Sequence, residues 1–179
     1  MSRILVGVSG SIAAWKACGL VSKLVQGGHT VDVVMTREAQ WFVRPLAFSA
    51  LTHRRVFTDE SWGSEGAPAD HLVATSEADL MIVAPCTANM IGKFAHGLAD
   101  EILSTSYLGC QAPVLLAPAM NWRMWAHPRV KANVKVLMGE GVQIVGPEDG
   151  WLAEQEEGPG RMTEPEGILD VALRILHRD

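Results

Sequence analysis

Several short stretches of this 179-residue chain carry residue types that could hold a ligand or move a proton. Gly7-Val8-Ser9-Gly10-Ser11-Ile12 is a Gly/Ser turn running into a helical pattern. Backbone amides at a helix start, serine hydroxyls and the positive end of the helix dipole make a phosphate cradle there. The stretch lacks GxGxxG spacing, and a plain turn followed by an N-cap fits it equally well. After the next apolar run comes Thr36-Arg37, where a dinucleotide-binding fold would carry an acid for the ribose hydroxyls. A hydroxyl and a guanidinium suit phosphate better, which favours a mononucleotide.

Pro85-Cys86-Thr87-Ala88-Asn89-Met90 offers Thr87 as an N-cap and Asn89 as a first-turn amide able to face a heteroaromatic ring. Cys86 near a helix start reads either as an activated thiol or as a small packing residue. With no base at a recognisable spacing, packing is favoured. Pro118-Ala119-Met120-Asn121-Trp122-Arg123-Met124-Trp125 combines two Met and two Trp with Asn and Arg. Such a stripe is core packing at helical spacing, or it covers a flat cofactor or a partner subunit. His71 stands alone in "ADHLVATSEAD", as a surface or structural residue or as a base. Finally "WLAEQEEGPGRM", residues 151–162, fits neither a helix nor a strand and reads as an acidic surface flap.

The elements that must position these stretches alternate. Residues 3–8, 30–35, 80–84, 114–117 and 142–145 read as strands buried on both faces, and residues 11–26, 37–50, 88–108, 128–138 and 165–177 as helices. That order predicts one domain over residues 1–179, a doubly wound α/β three-layer sandwich with a parallel sheet, Rossmann-like or flavodoxin-like. Ligands are then expected at the loops after the strands. Residues 58–70 read as a further surface loop. A net charge of −5 gives no footprint for nucleic acid. The apolar start is too short for a membrane span, and three widely spaced cysteines suggest reduced thiols, so a cytoplasmic protein is expected. The six histidines form no HExxH or HxxxH pair, and no metal is expected.

Taken together, "GVSGSIAAWK", "ADLMIVAPCTANMIGKFAHGLADEIL", "APAMNWRMW" and "GPGRM" resemble the FMN-dependent cysteine decarboxylase family over nearly the whole chain, most closely its coenzyme A branch. The resemblance implies FMN, with Gly10, Ser11, Ile12, Thr36 and Arg37 on its phosphate side and Thr87, Ala88, Asn89, Met90 and Ala119 against the flavin. Met90 stands where the family usually has Thr. His71 falls at the family's essential base and Asn121 at the residue that holds the substrate carboxylate. Met120, Trp151 and Ala153 fall at further substrate contacts. The implied reaction is decarboxylation of 4'-phosphopantothenoylcysteine to 4'-phosphopantetheine, in a homotrimer or a dodecamer of trimers. "PAMNWRMW" argues against the related flavin prenyltransferases.

One departure matters. The family's flap usually reads like "LACGxxGxGRM" and its Cys donates a proton, whereas here Glu154 holds that position. The resemblance then implies either a carboxyl proton donor, an oxidative decarboxylase of peptidyl or other cysteines that releases an ene-thiol, or a flavin-binding subunit without catalysis. Glu156 and Glu157 are expected to favour protonation of Glu154 by like-charge repulsion.

Overall fold

A computed structural model describes residues 1–61, 75–153 and 155–177. The strands are β1 Arg3–Val8, β2 Thr30–Met35, β3 Val56–Phe57, β4 Leu80–Cys86, β5 Val114–Pro118 and β6 Gln143–Ile144. They pair in parallel in the order β3-β2-β1-β4-β5-β6, the doubly wound order in which the chain reverses direction between β1 and β4. The crevice expected at that reversal opens beside the loops after β1 and β4.

Side-chain alternation along the strands builds two cores. Ile4, Val6 and Val8 join Val31, Val33, Ile82 and Leu115 on one face, beneath helices α1 Ala14–Gln26, α2 Pro45–Thr52 and α7 Pro165–Leu176. Leu5, Val34, Met81, Val83 and Leu116 face the other way, beneath α3 Ala88–His96, α4 Ile102–Gly109 and α6 Pro128–Gly139. Each such buried aliphatic side chain contributes about 1.5–3 kcal/mol. No helix among the described residues is long and apolar enough to cross a membrane.

Three expected elements come out differently. The helix expected over residues 88–108 is two, because Gly97 adopts a left-handed conformation that ends α3 and Glu101 caps a new start at α4. The helix expected over 37–50 is a 3-10 turn, Glu38–Trp41, followed by α2. Pro45 holds Arg44 extended and so forces the break. The flap contains strands after all: β7 Glu148–Trp151 and β8 Glu157–Arg161 form an antiparallel hairpin. Its Gly/Pro/Glu composition hides the period-2 signal on which strand prediction depends.

Candidate functional site

The loops after β1, β2, β4 and β5 and the hairpin enclose one cavity of about 480 Å³. Gly10, Ser11, Ile12, Thr36, Thr87, Ala88, Asn89, Met90, Ala119, Met120, Asn121, Trp151 and Ala153 all line it. Arg37 does not: it is exposed at the start of the 3-10 turn. His71 and Glu154 lie outside the described residues.

The phosphate-type end is built from committed hydroxyls. The buried Thr36 Oγ1 accepts from the Ala39 N–H at 3.2 Å, which leaves its own hydrogen to donate. Ser11 Oγ accepts from Ala13 N–H at 3.2 Å and shapes the turn into α1. Gly10 is obligatory here, because any Cβ would drive into Glu38. Ser9, unremarked in the sequence beyond its place in the turn, ties this loop to the next. Its Oγ donates to the Pro85 carbonyl at 2.8 Å and accepts from Thr87 N–H at 3.1 Å. Thr87 in turn caps α3 by accepting from Met90 N–H. Two helix starts, α1 and α3, thus meet at one cavity wall, and the positive ends of their dipoles favour an anion.

Asn121 caps α5, Trp122–Ala126, and its Oδ1 accepts from Arg123 N–H at 2.8 Å. That bond fixes the amide's orientation and leaves Nδ2 with two donors, a set that matches a carboxylate. The hairpin packs on the same segment. Met120 N–H donates to the Gly160 carbonyl at 3.1 Å, and a Cβ on Gly160 would collide with the Met120 carbonyl oxygen. Cys86 is fully buried, and desolvation pushes its thiol far above the ordinary range, which fits packing and not nucleophilic attack.

Five charged lining residues were not expected: Lys16, Glu38, Lys93, Glu101 and Arg161. Lys16 binds Glu164 at 2.7 Å and the Met162 carbonyl at 3.4 Å, joining α1 to the base of the hairpin. Lys93 binds Asp100 at 2.7 Å, and Glu101 accepts from Leu103 and Ser104 N–H at 2.9 and 2.6 Å. Helical spacing carried a signal for two of them: Lys16 is four residues after Ile12, and Lys93 four after Asn89.

The Flavoprotein family pattern matches residues 1–177. The chain belongs to the flavoprotein family. This flavoprotein is 48% identical over 170 residues to the coenzyme A biosynthesis bifunctional protein CoaBC of Bacillus subtilis, across 95% of the chain and 42% of that protein. It is 40% identical over 180 residues to CoaBC of Mycolicibacterium smegmatis, across 98% of the chain and 42% of that protein. It therefore spans less than half the length of these curated relatives. Among solved structures, a PPC decarboxylase variant complexed with pantothenoylaminoethenethiol is 30% identical, with a TM-score of 0.86 over 99% of both chains. An FMN-dependent cysteine decarboxylase from thioviridamide biosynthesis is 29% identical, with a TM-score of 0.84 over 98% of both chains.

Proposed function

We propose that this flavoprotein is an FMN-dependent carboxy-lyase that converts 4'-phosphopantothenoylcysteine into 4'-phosphopantetheine in coenzyme A biosynthesis. The observation that carries the reading is Asn121, its amide oriented by Arg123 N–H and presented to the cavity that also holds the hydroxyl-lined helix starts. FMN fits those residues: the Thr36 and Ser11 hydroxyls and the α1 start suit its phosphate, and Met90, Ala119 and Met120 suit a flat ring. Bound there, FMN supplies two-electron oxidation of the cysteinyl group to a thiocarbonyl, an electron sink for decarboxylation. The relatives named above, a PPC decarboxylase and CoaBC proteins, support the same substrate.

The chain's own side chains do the rest. Asn121 Nδ2 holds the substrate carboxylate by neutral hydrogen bonds, which orient the group without the ground-state stabilisation a Lys or Arg would add. Trp151, Leu152 and Ala153 of the hairpin line the cavity and exclude water. His71 serves as base, and Glu154 returns a proton in the second half-reaction.

A second reading has an observation behind it. None of Cys18, Cys86 and Cys110 lines the cavity, so no described thiol replaces the one absent at position 154. In addition, Glu156 is engaged by Trp122 and Arg123, which blunts its repulsion toward a neighbouring acid. In this reading the product is the ene-thiol. Anaerobic incubation with 4'-phosphopantothenoylcysteine followed by mass spectrometry separates the two: 4'-phosphopantetheine supports the first, and a product lighter by two hydrogens supports the second. A protein that binds FMN yet shows no substrate-dependent bleaching would overturn both.

The assembly is proposed as a homotrimer or a dodecamer of trimers. Trp15, Trp41 and Leu46 are 62%, 75% and 76% exposed, with Ile12 and Phe42 beside them in the chain, and apolar surface of that kind calls for cover.

A further inference from the structure

Helix α5 is only five residues long and buries none of them fully, although Trp125 leans on the core. A single helical turn of this kind is not self-supporting, so its position must come from tertiary contacts. The hairpin supplies contacts on both sides of Asn121, at the start of the helix. On one side Met120 N–H meets the Gly160 carbonyl at 3.1 Å. On the other, Glu156 Oε2 accepts from Trp122 Nε1 at 3.0 Å and Glu156 Oε1 accepts from Arg123 Nη2 at 3.4 Å. The Trp122 side chain packs over Gly158, and the Arg123 guanidinium lies 5.3 Å from the Trp122 ring. Asn121 sits between these anchors, with its amide bonded to Arg123 N–H.

We propose that Glu156 is a positioning residue: its carboxylate clamps the hairpin tip to Trp122 and Arg123 and thereby fixes the Asn121 amide over the cavity. Glu156 does not line the cavity. Its charge strengthens both bonds, and the two acceptor oxygens are divided between the two donors, so the hairpin and α5 move as one body. The consequence for substrate rests on the carboxylate role proposed for Asn121, whereas the clamp itself does not.

The experiment compares the FMN-loaded protein with Glu156→Ala, Glu156→Gln and Trp122→Phe, and with Glu156→Ala combined with Trp122→Phe. Hydrogen exchange at residues 120–123 and 148–161 is followed by mass spectrometry, and turnover of 4'-phosphopantothenoylcysteine in parallel. Glu156→Ala is expected to speed exchange in both segments and to raise KM about 10-fold with a smaller change in kcat. Glu156→Gln, which keeps an acceptor for Trp122, restores most of the protection. The double variant loses less than the sum of the two single changes, because both break the Trp122–Glu156 bond. Unchanged exchange in Glu156→Ala, or additive losses in the double variant, overturns the clamp. Faster exchange with an unchanged KM overturns its coupling to Asn121. If the unaltered protein fails to turn over this substrate, the functional reading fails, and the exchange data still decide the clamp.

Discussion

Asn121 lines the cavity and has one amide for two tasks: its oxygen caps α5, and its nitrogen is left to donate. Asp caps a helix as well as Asn does, so Asn121→Asp isolates the second task. Melting should report a stability change within about 0.5 kcal/mol, while carbon dioxide release falls about 100-fold or more as donors become a repelling charge. Near-normal turnover would remove the carboxylate role. Cys86 is expected to behave in the opposite way. Because burial keeps its thiol protonated, Cys86→Ala should retain activity and lose roughly 1 kcal/mol of stability, read from denaturant unfolding. A large loss of turnover at constant FMN content would return Cys86 to the chemistry.

The loops are coupled through individual atoms. Ser9 Oγ joins the β1 loop to the β4 loop, and Ser9→Ala removes the acceptor of Thr87 N–H, while the Pro85 carbonyl keeps the Ser9 N–H. The expected cost is about 1–3 kcal/mol in unfolding free energy, together with weaker FMN binding in a fluorescence titration. Unaltered affinity would mean that the two loops hold their positions independently. These couplings account for what could be read from sequence and what could not. The strands beside the cavity were readable because β1, β2, β4 and β5 are continuous apolar runs buried on both faces. Ser9 and Glu101 were not, since their placement depends on partners 76 and 2–3 residues away and on a helix break at Gly97 that periodicity alone does not reveal. The hairpin was missed because the residues it pairs, Glu148 with Arg161, Asp149 with Pro159, Gly150 with Gly158 and Trp151 with Glu157, present no apolar face.

At the scale of the molecule, an acidic flavoprotein with Trp15, Trp41 and Leu46 in the open is expected to assemble. Sedimentation should give masses in multiples of three chains. Trp41→Asp with Leu46→Asp should shift the protein toward the monomer and, since Ile12 and Trp15 also line the cavity, loosen FMN on dilution. A monomeric unaltered protein that retains its flavin would contradict the assembly. The fold class itself was plain from strand and helix alternation, and the order β3-β2-β1-β4-β5-β6 places the cavity at the reversal of the sheet.

The seat of β8 on Met120 is made from main chain: a carbonyl, an amide and the absence of a side chain at Gly160. Such a mount draws on no side chain of the hairpin. Gly160→Ala, which removes the fit, should cost about 2 kcal/mol or more in a melting experiment. The main-chain seat therefore acts as a hinge pin, and the Glu156 bonds to Trp122 and Arg123 are a separate attachment. Glu154→Cys is expected to supply a thiol donor for the second half-reaction, and the mass of the product would register the exchange.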